Sequence, residues 1–224
     1  MTLDVRLDAH EARVFGVLIE KALTTPEQYP LSINAATNGV NQKSNRDPVL
    51  SLEEDEVDGA LRRLEQKYMA RKVFPANSRV EKYCHNGKDA LGLEAPALAV
   101  LAELLMRGPQ TPGDLRARAG RMVPFASLDE LMSVVSTLIE RGFVQRLAPA
   151  PGSRAERYVQ LLSPDLHTAD HGATVGTAGT APVHSSAPPG LDLVTRVATL
   201  EADVKQLRDH LRLLASKVGQ SLEE

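Results

Sequence analysis

Apolar residues recur at helical spacing along the first half of the chain, and two short strand-like stretches follow them. The predicted elements are a helix over about residues 8–23, a helix from Ser32, a helix from Ser51, and strands over residues 70–74 and 79–84. Asp8 is the predicted N-cap of the first helix. Ser51 and Glu54 have the spacing of a capping box, which favours a helix start at Ser51.

The second half of the chain repeats this order in fewer residues. The predicted elements are a helix over about residues 95–106, a helix from Thr111, a helix from Ser127, and a hairpin that turns at residues 149–152. Gly108 is expected to end the first of these helices. Pro112 fits the first helical position after Thr111, where its missing N–H costs nothing. Ser127 and Glu130 form another predicted capping box.

The similarity of the two halves extends to individual residues. The segment Ser78-Arg79-Val80-Glu81-Lys82-Tyr83 recurs as Ser153-Arg154-Ala155-Glu156-Arg157-Tyr158. Three helices followed by a hairpin is the order of a winged helix, a helix-turn-helix with an added ribbon. The predicted fold class is therefore mainly α with small β-hairpins, arranged as two tandem winged-helix domains over residues 1–90 and 91–162 and followed by a coiled-coil helix.

The C-terminal part of the chain has a different pattern. Residues 163–190 are rich in Ala, Thr, Gly, Ser, Pro and His, which predicts a flexible linker with solvated histidines. Residues 191–219 carry apolar side chains alternately four and three positions apart, a heptad that predicts a coiled coil and a homodimer. A lone amphipathic helix that docks on its own domain is the alternative.

Composition narrows the class of protein. The net charge of −3 is not typical of a protein that coats nucleic acid indiscriminately. The single cysteine, Cys84, cannot pair within the chain, and no signal-like segment opens it, so a reducing cytoplasm is expected. No apolar run is long enough to cross a bilayer, and no membrane association is expected.

The sequence offers no constellation typical of an enzyme, so we expect no catalytic residue, metal or cofactor. Cys84 and His85 adjoin at the end of a predicted strand, without a second Cys or His at metal-binding spacing. The acidic run over residues 53–56 occupies the first turn of a predicted helix, where the helix dipole favours negative charge.

Polar and basic residues are the candidates for binding double-stranded DNA or a protein partner. They are Asn41, Gln42, Lys43, Asn45 and Arg46 in the loop after the second helix; Arg62 and Arg63 on the third helix; Arg116, Arg118 and Arg121 in or near the second helix of the second repeat; and Arg79, Lys82, Arg154 and Arg157 in the hairpins. The loop residues could instead bond only to their own backbone. An acidic first turn on both third helices opposes contact with phosphate.

Two long runs resemble the YceH family of uncharacterised bacterial proteins. They are Thr24-Thr25-Pro26-Glu27-Gln28-Tyr29-Pro30-Leu31-Ser32 and Asn41-Gln42-Lys43-Ser44-Asn45-Arg46-Asp47-Pro48-Val49, and the segment of residues 107–116 is similar as well. The resemblance covers roughly residues 7–162 and implies a tandem winged-helix fold, without an activity that can be carried over.

The sequence thus favours a non-catalytic, dimeric winged-helix protein of the cytoplasm that is DNA-associated or regulatory. The alternative is a scaffold for protein–protein interaction that uses the same tandem fold. Fold alone does not choose between them.

Overall fold

The computed structural model describes residues 5–74, 80–149, 155–164, 166 and 167, and it is mainly α-helical with two small antiparallel hairpins. The helices are α1 (Ala9–Thr24), α2 (Ile33–Val40), α3 (Glu54–Gln66), α4 (Gly87–Leu91), α5 (Ala95–Arg107), α6 (Pro112–Ala119) and α7 (Leu128–Glu140). The strands β1 (Ala70–Val73) and β2 (Lys82–His85) form one hairpin, and β3 (Val144–Leu147) and β4 (Arg157–Gln160) form the other. A 3₁₀ turn, Pro26–Gln28, follows α1.

Side-chain caps fix most helix starts, as the sequence predicts. Asp8 accepts a hydrogen bond from the backbone N–H of Glu11, whose carboxylate accepts one from the Asp8 N–H, each at 2.8 Å. The hydroxyls of Ser32, Thr111 and Ser127 also accept from the N–H three residues on. The capping box predicted at Ser127 is only half formed, because the Glu130 carboxylate accepts from the Ala126 N–H at 2.6 Å. Such a cap stabilises a helix by about 1 kcal/mol.

The predicted N-cap of α3, Ser51, is wrong by two residues. The N-cap is Glu53, which forms a capping box with Glu56. The Asn41 side chain donates to the Leu52 carbonyl and accepts from the Leu52 N–H, each at 2.8 Å. Because both backbone groups of Leu52 are bonded to another loop, the helix begins after this residue.

In each half, an equivalent backbone contact joins the segment before the second helix to the hairpin. Leu31, just before the N-cap of α2, pairs with Tyr83 of β2, and Gln110, just before the N-cap of α6, pairs with Tyr158 of β4. The corner between third helix and hairpin is also shared, since the Met69 N–H donates to Leu64 O and the Phe143 N–H donates to Leu138 O, each at 2.9 Å. Both halves therefore place a short extended segment beside their hairpin.

The core is aliphatic and is centred on α1 and α5. Residues 11–20 of α1 and 98–106 of α5 are buried. The two helices approach closely at Gly16, where an added Cβ would lie 3.1 Å from Met106 Cγ and 3.3 Å from Leu105 Cβ. The first and second halves thus share one core within a single compact unit, Met1–Val175.

The predicted linker begins too early. Leu166 and His167 are buried, and His167 Nε2 lies 2.8 Å from the Asp47 carbonyl oxygen, so this histidine is not solvated. Gly108 makes room for it, since an added Cβ there would lie 2.7 Å from the His167 ring. The remainder of the predicted linker and the whole predicted coiled coil, residues 191–219, lie outside the described residues.

Candidate binding surfaces

The cations of α3 contact carboxylates of their own chain. The exposed side chain of Arg62 lies 2.6 Å from the half-buried Asp58, one helical turn away. Arg63 contacts the N-cap carboxylate of Asp8 at 3.0 Å and Glu11 at 3.2 Å. Lys67 Nζ also lies 2.5 Å from Glu11, whose side chain is buried. The negative charge that caps α1 is therefore neutralised by the face of α3.

The hairpins show the same pairing. Lys72 lies 2.8 Å from Glu81, and Arg146 lies 3.1 Å from Glu156. The pKa of Lys72 is raised, first of all by its hydrogen bond to Glu81. Lys82 and Arg157 are half-buried. The candidates Arg79 and Arg154 lie outside the described residues.

Negative charge remains exposed at the start of both third helices. All four side chains of residues 53–56 are exposed at the start of α3. Asp129 and Glu130 are exposed in the first turn of α7, whose residues include no Lys or Arg. The helix turn that would enter a DNA groove in a helix-turn-helix protein is thus acidic in both halves.

The loop after α2 contains one buried cation and one exposed cation. Arg46 is buried and lies 2.6 Å from Glu20 of α1. It also donates to Gly39 O, Asn45 O and Gln42 Oε1, so that all five of its N–H donors have partners. Lys43 is exposed and has no ion pair with any described residue. Bonding to local backbone, the alternative predicted for this loop, accounts for Asn41. It does not account for Arg46, whose ion pair with Glu20 joins the loop to α1, or for Lys43.

The second repeat presents three arginines in and just after α6. Arg116 is exposed and donates to the Ala126 carbonyl at 3.1 Å. Arg118 donates to Gln110 at 2.7 Å and lies 3.5 Å from Asp114. Arg121 is exposed and lies 3.9 Å from the buried carboxylate of Glu103. Each of the three arginines thus has a partner within the second repeat, and Arg116 and Arg121 are still open to solvent.

A cleft of about 550 Å³ brings parts of both halves together. It lies between the C-terminal end of α1, the loop after α2, and the residues that follow α6. Of the predicted candidates, Gln42, Lys43, Asn45 and Arg121 line it, whereas Arg62, Arg63 and Arg116 do not. Sequence reasoning missed Lys21, which also lines the cleft because the last turn of α1 ends there.

Charged residues inside the apolar stripes of α1 and α5 were missed as well. Glu103 is fully buried, and burial raises its pKa although Arg107, Arg121 and Arg118 oppose that shift. Arg107 Nε lies 3.0 Å from Glu103 Oε1, but the two are not aligned as a hydrogen bond. Arg13 is also fully buried, and burial lowers its pKa to about 10. A charge on the apolar face of a predicted helix was the signal that could have revealed these residues.

The adjoining Cys84 and His85 have local partners. Cys84 Sγ accepts a hydrogen bond from Arg71 Nε at 3.1 Å, and the Gly87 N–H donates to His85 Nδ1 at 3.2 Å. Burial lowers the pKa of His85. Within the described ranges, no group of three or more His, Cys, Asp or Glu side chains is placed to hold a metal ion. No helix in that same part of the chain is long and apolar enough to cross a membrane.

The described chain is thus a mainly α-helical protein with two hairpins, paired cations on its third-helix face and a cationic cleft between its halves. Its sequence matches, over residues 7–153, the family described as "Protein of unknown function, DUF480", and the chain belongs to this family. This confirms the resemblance to an uncharacterised bacterial family.

Several curated relatives match most of the chain. A UPF0502 protein of Klebsiella pneumoniae is 42% identical over 221 residues, which cover 96% of this chain and 98% of the relative. A UPF0502 protein of Koribacter versatilis is 44% identical and covers 90% of each chain. A UPF0502 protein of Geotalea daltonii is 52% identical over 169 residues, or 75% of this chain and 77% of the relative.

Proposed function

We propose that this chain is a non-catalytic tandem winged-helix protein that serves as a protein-interaction scaffold and acts as a dimer through residues 191–219. The order of three helices and a hairpin in each half supports the winged-helix assignment. The equivalent bridges of Leu31 with Tyr83 and of Gln110 with Tyr158 support it further, because each gives its hairpin a third extended segment.

The charge on the third-helix faces is the observation that favours a protein partner over duplex DNA. Arg62 and Arg63 are paired with carboxylates of their own chain, whereas the acidic first turn of α3 stays exposed. Binding to duplex DNA draws most of its non-specific free energy from cations that neutralise phosphates. A face whose cations are already paired and whose leading turn is acidic repels phosphate and suits a partner with basic side chains.

Exposed apolar side chains near the first hairpin fit the same proposal. Tyr68 is 78% exposed, Phe74 66% and Val80 57%, although each is large enough to contribute to a core. They lie at the end of α3 and on both sides of the hairpin turn. Tyrosine and phenylalanine are enriched in protein–protein interfaces, and tyrosine is frequent among the residues that contribute most of the binding free energy.

A photo-crosslinking amino acid at Phe74 or at Asp55 tests the scaffold proposal in bacterial cells that express the chain. We expect discrete crosslinked proteins from both positions, and Asp55→Lys in the Phe74-labelled chain should remove them because it reverses the charge of the face. The same label at Asp89, which is exposed on α4, serves as the control. Equal crosslinking at Asp89, or none at Phe74 and Asp55, contradicts the proposal.

Duplex DNA is the second candidate, and the exposed cations Lys43, Arg116 and Arg121 favour it. A fluorescence-anisotropy titration with random duplex across salt concentrations separates the two candidates. The scaffold proposal expects no binding at about 50 mM salt, whereas binding with a steep salt dependence would support DNA. Arg116→Gln should then weaken binding uniformly across sequences.

The proposed dimer rests on the heptad alone and has its own test. A chain that ends at residue 190 should be monomeric by light scattering, because it lacks the apolar seam of residues 191–219. Its circular dichroism should still report the helices of the core. A truncated chain that remains dimeric would refute the role of the predicted coiled coil.

A further inference from the structure

We infer that the cleft between the two halves binds a small polyanion, a molecule that carries phosphate or carboxylate groups. The cleft has a volume of about 550 Å³, which lies in the range of small-molecule sites. This inference concerns a different surface from the third-helix and hairpin face of the proposed scaffold and does not depend on it.

The cationic side chains around the cleft exceed the anionic charge available to neutralise them. Lys43 has no ion pair with any residue in the described ranges. Glu20 is the one carboxylate in the described lining, and it lies 3.9 Å from Lys21, but the same oxygen is 2.6 Å from Arg46. Arg121 lies 3.9 Å from Glu103, which Arg107 approaches to 3.0 Å. Each carboxylate near the cleft is thus held more closely by an arginine outside its lining.

The neutral residues of the lining offer donors to a ligand. Gln42 Oε1 accepts a hydrogen bond from Arg46, and Asn45 Oδ1 accepts one from Arg107. An arginine has no acceptor, so these two contacts fix which end of each amide faces the guanidinium. The amide NH₂ groups of Gln42 and Asn45 therefore remain, and within the described part of the chain neither has a hydrogen-bond acceptor.

The wall that carries these groups is held rigidly. Arg46 bonds to Glu20 of α1, to Gly39 at the end of α2 and to Asn45 of the loop. Asn41 fastens the start of the same loop to Leu52 through two hydrogen bonds. Donors held in place before binding lose little conformational entropy when the ligand arrives.

A small anion fits this geometry better than a duplex does. The cations and amide donors line a concave space between α1, the loop and the residues after α6, rather than a ridge that could follow a phosphate backbone. Lysine acts as a point charge for phosphate, and arginine can bind either phosphate or carboxylate through two parallel hydrogen bonds. The chemistry selected by the cleft is therefore a ligand rich in anionic oxygen atoms.

Calorimetric titration of the full chain with inorganic pyrophosphate and, separately, with citrate tests the inference. We expect saturable binding of at least one probe, and the arm that binds distinguishes phosphate from carboxylate. Lys43→Gln and Arg121→Gln should each weaken binding about tenfold, because each removes one charged hydrogen-bond donor. Lys88→Gln is the matched control, since Lys88 is an exposed lysine on α4 that does not line the cleft.

A steric variant keeps the test independent of charge. Ser44 is an exposed residue of the cleft lining, so Ser44→Trp should reduce binding without removing a cation, and circular dichroism checks that each variant is folded. The inference fails if neither probe binds, or if the cleft variants bind as tightly as the unaltered chain. Displacement of the bound probe by a short duplex through the same residues would also overturn it and assign the cleft to nucleic acid.

Discussion

At the scale of single residues, neighbouring cations of one loop differ in burial and in ion pairing. Arg46 and Lys43 lie three positions apart in one polar loop, yet Arg46 is buried in an ion pair and Lys43 is exposed. Both residues are equally plausible contacts in the sequence. Only the position of Glu20 on α1 makes one of them a structural residue.

Arg46→Leu should lower the free energy of unfolding by about 3–5 kcal/mol, because it leaves the buried Glu20 carboxylate without its partner. Arg62→Leu is the control, since Arg62 is 66% exposed in its pair with Asp58 and should cost less than about 1 kcal/mol. Urea denaturation of the three proteins measures both values. Equal effects of the two substitutions would show that the buried pair has no special role.

His85 should make the stability of the fold depend on pH. Burial lowers its pKa, and the ring must be neutral at Nδ1 to accept the Gly87 N–H. A lowered pKa means that the unfolded state binds the proton more readily. The stability contributed by His85 is therefore complete above about pH 6.5, its unfolded pKa, and is lost as the pH falls below that value.

Urea denaturation at several pH values tests this dependence against His85→Gln. The free energy of unfolding should fall more steeply below about pH 6.5 in the unaltered chain than in the variant, which has no titratable group there. The other histidines are the same in both proteins, so the difference between the two profiles isolates His85. Parallel profiles would rule out this contribution.

At the scale of elements, the two halves have different residues at the position that ends the third helix. Tyr68 after α3 and Gly142 after α7 occupy the same place and both have positive φ, at 58° and 77°. A side chain in this left-handed region costs about 1 kcal/mol, whereas glycine adopts it freely. The first half therefore keeps a tyrosine at a position that favours glycine, and that tyrosine is 78% exposed.

Gly142→Ala should destabilise the fold by about 1 kcal/mol, because alanine acquires the strain that glycine avoids. Tyr68→Gly should change stability by less than about 0.5 kcal/mol, since relief of that strain offsets the greater entropy of glycine in the unfolded state. Thermal denaturation compares the two. A large loss from Tyr68→Gly would mean that this side chain stabilises the fold itself rather than serving only as an exposed contact.

At the scale of the whole molecule, the contact of α1 with α5 joins the two halves in one core. Gly16→Leu should disturb both halves, because even a Cβ there lies 3.1–3.4 Å from α5, and we expect a loss of about 1–3 kcal/mol or more. Gly59→Leu on α3 is the control, since an added Cβ meets only the flexible end of Arg63. Amide hydrogen exchange should accelerate in both β1 and β3 for the first variant alone. Acceleration in one hairpin only would show that the halves unfold independently.

The sequence alone determined the order of elements, most helix starts and the likeness of the two halves. These depend on local physics: a cap joins residues three apart, and a buried helical stripe repeats with the helical turn. At Ser51 the local capping pattern predicted the wrong helix start, because the hydrogen bonds between Asn41 and Leu52, eleven residues apart, hold the chain outside the helix.

The tertiary structure decided which charges remain available for binding. Lys67 is neutralised by Glu11, and Arg46 by Glu20, through contacts between elements far apart in the chain. The same packing buries Glu103 and brings Lys21, Lys43 and Arg121 around one cleft. A sequence records where charges occur along the chain, but electrostatic pairing depends on distance in space, which only the packed helices define.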